Sequence, residues 1–189
     1  DNPRDPDAWR ELAVAELLMD GGDAARTRPT IEHALELAPN DERVLYLSGY
    51  ERDHHGDLAG AMDAYLSALT RAAASTRPEA PAIAEASLTL LEDLDDDVRN
   101  YSARVRETLE QVVPSTNVGF AARQTASEML MDLAMRRDDP ETAARFASEQ
   151  GCVRDWRVAG PFGPFELLGF DQDYPATAAG PMADEYDLG

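Results

Sequence analysis

Three stretches of this sequence carry side chains that could do chemistry. Asp53-His54-His55-Gly56-Asp57 sets two imidazoles between carboxylates, the ligand types that hold zinc or nickel. Neighbouring residues on a helix point to different sides, so the stretch is more simply the polar end of a helix and its turn. The acidic run Glu92-Asp93-Leu94-Asp95-Asp96-Asp97 invites a calcium reading. A helix–loop–helix calcium loop needs Gly at its sixth position and Glu at its twelfth, and counted from Asp93 those positions hold Val98 and Arg104. The run is better read as a turn whose carboxylates favour the N-terminus of a helix from Val98. Cys152 is the single thiol, which excludes an internal disulfide. No G-x-S-x-G, phosphate-cradling Gly loop or H-E-x-x-H is present, and in so acidic a chain no carboxylate pair singles itself out. The sequence thus names no catalytic residue, no metal site and no cofactor, and the expectation is a protein without intrinsic catalysis.

The elements that must position these residues centre on Asp41 to Ala74. From Leu58 the residues Leu58, Ala61, Met62, Tyr65, Ala68 and Leu69 recur at three and four, one stripe of a helix. Gly56-Asp57 breaks the chain just before it, Gly ending one helix and Asp able to cap the next. Gly49 and Ala61 are small where two helix backbones approach. The stretch reads as a helical hairpin of 34 residues. In that length, and in its Gly49, Gly56-Asp57, Ala61, Tyr65 and Ala68, it resembles the tetratricopeptide repeat.

An imperfect first repeat precedes it. Trp9, Leu12, Ala13 and Leu17 share one side of a helix that Gly21-Gly22 terminates, and Gly22-Asp23 begins an element ending in Ile31, Ala34, Leu35 and Pro39. Glu16 stands where an apolar residue is expected, and Pro29 predicts a second helix that either starts near Thr27 or kinks there. Past Arg77-Pro78 the 34-residue register is lost while the helical period continues. Pro81 suits a first turn before Ile83, Ala84, Leu88, Leu91 and Leu94. Val98, Tyr101, Val105, Leu109 and Val112 form the next stripe, ended by Pro114. Thr116 or Asn117 can cap a helix through Val118, Ala122, Ala126, Met129 and Leu133, and Asp139-Pro140-Glu141 opens a last short one. The prediction is all-α: a solenoid of four antiparallel helix pairs over residues 6–150.

Residues 151–189 are rich in Gly and Pro and lack a helical period, and Trp156-Arg157-Val158-Ala159 alternates like a short strand. The run from Trp156 to Pro175, WRVAGPFGPFELLGFDQDYP, resembles a segment that follows helical repeats in large bacterial envelope proteins and opens a β-rich domain. Many of those proteins carry a transglutaminase-like domain further on. That resemblance implies the bacterial cell envelope or periplasm as the location. It would make Cys152 a nucleophile candidate, but the family's His and Asp follow the Cys, and His33, His54 and His55 all precede it. Phe162 and Phe165 are read as plugging the end of the solenoid.

The net charge of −20 and the pI near 4.3 argue against nucleic acid and against an anionic membrane surface, both of which need clustered cations. All 17 basic residues are Arg, a composition that, with abundant Ala, suggests a GC-rich bacterial genome. No apolar run approaches 18 residues, so no membrane insertion of this segment is expected. The chain opens at Asp1 without a Met or signal peptide and is read as a segment of a longer protein.

Two functions follow. Helical-repeat solenoids bind protein or peptide partners in a concave groove. The resemblance assigns that groove Arg43, Tyr46, Tyr50, Asp53 and His54, for a neutral or basic partner. The alternative is an accessory segment of an envelope transglutaminase-like enzyme whose catalytic domain lies elsewhere.

Overall fold

The computed structural model describes residues 4–19, 24–94 and 103–149. Gly21-Gly22-Asp23, the helix start at Val98, Cys152 and the whole of 151–189, with its strand and its two Phe plugs, lie outside the described residues. Among the described residues there are eight helices and no strand. They are α1 (Pro6–Met19), α2 (Ala24–Leu37), α3 (Glu42–His54), α4 (Leu58–Ala74), α5 (Ala80–Asp93), α6 (Ala103–Val112), α7 (Phe120–Met135) and α8 (Pro140–Glu149). The chain divides into two compact units, Asp1–Met129 and Leu130–Gly189.

In the first unit each of the first five helices packs on its neighbour in sequence, and α4 also packs on α6. The odd-numbered helices meet as well, α1 against α3 and α3 against α5. That position explains the pattern on α4. Ala61, Tyr65, Ala68 and Leu69 are buried as the stripe requires, and Leu66 and Ala72 join them because α4 is covered from several sides. Leu58 and Met62, counted in the same stripe, are only half-buried.

The turn between α3 and α4 follows from two residues. Gly56 has φ +78°, a left-handed conformation that glycine adopts without steric cost. Its amide donates to Asp53 O at 2.9 Å and the next amide, of Asp57, donates to Arg52 O at 2.9 Å, so the last carbonyls of α3 are satisfied. The Asp57 carboxylate then accepts from the Gly60 amide at 3.1 Å, which caps α4. The second unit repeats this device with a different residue. Asp138 takes φ +56°, its amide reaches Met135 O at 3.0 Å and that of Asp139 reaches Ala134 O at 3.0 Å. Asp139 caps α8 through the Thr142 amide at 3.0 Å.

Several sequence expectations shift in detail. α2 begins at Ala24, ahead of Thr27, and runs through Pro29, which leaves one carbonyl without its amide partner. Leu12 is 44% exposed while Ala13 is buried. On α5, Ala80 and Ser87 are buried with Ala84, Leu88 and Leu91, whereas Ile83 is half-buried. Neither Thr116 nor Asn117 caps α7, which starts at Phe120. The Asn117 side chain instead donates to Ala73 O at 3.0 Å, beside Ser115 Oγ at 2.8 Å, so this loop closes the C-terminal end of α4.

Candidate binding face on the third helix

The N-terminal end of α3 is set by charge. Asp41 caps it through the Arg43 amide at 3.0 Å and receives Arg43 Nη2 at 2.7 Å and Arg77 Nη1 at 2.9 Å on its other oxygen. Arg43 also reaches Asp7 of α1 at 3.1 Å. Glu42, 4% exposed, accepts from Ser75 Oγ at 3.1 Å. Burial alone would raise the Asp41 carboxyl, but the hydrogen bonds from Arg43 and Arg77 overcome it and hold the group well below the usual carboxylate range. The same bond to Asp41 raises Arg43. These contacts join the starts of α1 and α3 to the loop before α5.

Arg43 is therefore spoken for. Its guanidinium is shared between two carboxylates, so its place at the head of the face is structural in the first instance. Tyr46 follows one turn later, half-buried, with its ring 6.0 Å from that of Tyr65 at a 44° tilt. Burial raises its hydroxyl pKa. Another turn on, Tyr50 is 42% exposed, and its ring lies parallel to that of His54 within 3°, the centroids 6.4 Å apart. Asp53 is half-buried, and its charge adds to the effect of burial in raising the Tyr65 hydroxyl. The two imidazoles stay close rather than diverging, because His55 is the cap residue just past α3: His54 meets His55 edge to face at 77° with ring centroids 5.3 Å apart, and His55 lies 3.8 Å from Glu51. Among the described residues, no three His, Cys, Asp or Glu side chains converge as metal ligands would.

Three of the five sequence candidates, Tyr46, Tyr50 and His54, stand as a ladder at i, i+4 and i+8 along α3, with Tyr50 and His54 stacked on each other and Tyr46 set against Tyr65. Its supports were not singled out as site residues in the sequence. Tyr65 lies wholly buried beneath it, its hydroxyl without a hydrogen-bond partner among the described residues. Glu51, 3% exposed on the same helix, is held by Arg28 of α2 at 3.0 and 2.9 Å. Tyr65 was legible as a position of the α4 apolar stripe, whereas nothing in the spacing tells that Arg28 would reach Glu51.

The face offers two aromatic rings and an imidazole, with a carboxylate beside them and the buried ring of Tyr65 below. No family model matches the chain, and no curated protein and no solved structure matches it.

Proposed function

We propose that the chain is a protein- or peptide-binding scaffold and that the ladder on α3 meets a neutral or basic segment of the partner. The observation that carries this reading is Tyr50, 42% exposed yet held parallel to His54. An aromatic residue already ordered on a rigid element loses little entropy on binding, and Tyr supplies apolar area with a polar tip. The charge of −20 favours approach of a basic segment and repels an acidic one at low salt. Contacts among α1, α3 and α5 support a solenoid of the tetratricopeptide kind, in which such helices line one surface. The run from Trp156 to Pro175 supports the second reading, an accessory segment of an envelope transglutaminase-like enzyme.

The test uses three unstructured fluorescent peptides of equal length, one basic, one neutral and one acidic. Anisotropy should rise with the basic or the neutral peptide and not with the acidic one. Tyr50→Ala should weaken that binding by more than about 1 kcal/mol, roughly fivefold or more, with helicity unchanged. Equal binding by wild type and Tyr50→Ala, with a folded variant, ends the proposal. Tyr46→Ala serves as the contrast, because its ring rests on Tyr65 and its loss should lower the melting midpoint.

A further inference from the structure

A second place in the first unit has unspent polar groups, on the side where α4 meets α6. The facing residues are Ser67 and Arg71 of α4 and Arg104, Glu107, Thr108 and Gln111 of α6, spaced so that each set shares one face of its helix. Arg104 ties the helices together, donating to Asp63 at 2.7 Å and to Ser67 Oγ at 2.7 Å. Beyond that tie lies an open pocket of about 260 Å³, room for a ligand of several heavy atoms.

Thr70 also lines it, with its hydroxyl donating to Leu66 O at 2.8 Å, but four other lining residues have no partner among the described residues. Arg71 and Glu107 carry opposite charges into one pocket and form no ion pair, with each other or with any other described residue. Thr108 is only 5% exposed, and its hydroxyl has no hydrogen-bond partner among the described residues. The Gln111 amide is likewise unused. A guanidinium, a hydroxyl and an amide together are donors suited to a carboxylate. The Glu107 carboxylate is an acceptor suited to an ammonium group.

We infer that this pocket binds a small zwitterion of the free amino-acid class, its carboxylate toward Arg71, Thr108 and Gln111 and its ammonium toward Glu107. The net charge of the chain sharpens the choice. A simple anion is repelled by a charge of −20, and a simple cation has 37 Asp and Glu along the chain to choose from, whereas a zwitterion has no net charge and is selected by local geometry alone. This inference stands apart from the face on α3.

The experiment is an NMR titration of the folded chain with glycine, L-serine and L-glutamine, with acetate, methylammonium and inorganic phosphate as controls. The expected result is saturable shifts at the Thr108 and Gln111 amides with at least one amino acid, and at least about tenfold weaker effects from every control. Arg71→Gln should weaken the amino acid about tenfold or more. Glu107→Gln should shrink its advantage over acetate. Both side chains are exposed, so the variants keep the fold, as circular dichroism will show. No saturable shift up to tens of millimolar overturns the proposal, as does phosphate or acetate binding as tightly as the amino acids. A full response in Arg71→Gln also overturns it.

Discussion

The ring of Tyr65 lies where a side chain on Gly49 would have to start. A Cβ on Gly49 would meet Cδ1 and Cε1 of that ring at 2.5 Å, inside any van der Waals contact. The small residue on α3 thus receives the aromatic residue of α4, and the close approach is of ring to backbone. Since Tyr65 is wholly buried, its ring has no free direction in which to yield. Gly49→Ala should destabilise the first unit by roughly 1–3 kcal/mol, against the gain in helix propensity that Ala brings elsewhere. Urea unfolding measures it. An unchanged midpoint would show that the ring swings aside.

Asp138 makes the opposite prediction. It holds φ +56° at the end of α7, where the equivalent residue after α3 is Gly56. Asp tolerates the left-handed region better than most residues but at some cost. Asp138→Gly should therefore stabilise by up to about 1 kcal/mol, offset in part by the greater freedom of Gly in the unfolded chain. Gly56→Ala should destabilise by a similar amount, although its Cβ would touch nothing within 4 Å, because the cost there is conformational. Loss of stability in Asp138→Gly would contradict the account.

The cap at Asp41 sets a pH dependence. Its carboxyl is held below the ordinary value of 3.8. A group whose folded pKa is depressed contributes stability that is fully present above the unfolded pKa and lost as pH falls through the folded one. The stability gap between wild type and Asp41→Asn should be constant from neutral pH down to about 5 and shrink below about 4. Thermal unfolding at intervals from pH 7 to 3 checks this, and a gap that widens on acidification would refute it.

Arg28 and Glu51 test how a buried carboxylate is tolerated. Removing Arg28 leaves the nearly inaccessible Glu51 side chain without its guanidinium partner, which costs more than the pair was worth. Arg28→Ala should lower the melting midpoint, and adding Glu51→Leu to it should recover part of the loss. A double variant less stable than Arg28→Ala alone would show that Glu51 depends on other partners.

Much of the α3–α4 hairpin was legible because its signals are local. Gly56 and Asp57 act on carbonyls and amides within five residues of themselves, so chain order carries the information. The helix start at Phe120 was not, since Asn117 has the chemistry of a cap but spends its amide on Ala73, 44 residues away. The same reason separates the candidate face into a readable and an unreadable part. Tyr46, Tyr50 and His54 fall in line by helical period alone. That Arg43 would be taken by Asp7 and Asp41 depends on how α1 meets α3, which no spacing within α3 encodes.

The two hydrogen bonds that Ser115 and Asn117 donate to the Ala73 carbonyl bear on the order in which the chain assembles. The turn at Gly56 closes between neighbours and forms on the microsecond scale of a local helix pair. The Ala73 clasp must first close a loop of more than forty residues, 42 for Ser115, so it carries a larger entropic cost and comes late. A change at Gly56 is then felt as slower folding and one at Asn117 as faster unfolding, two separate arms of a chevron.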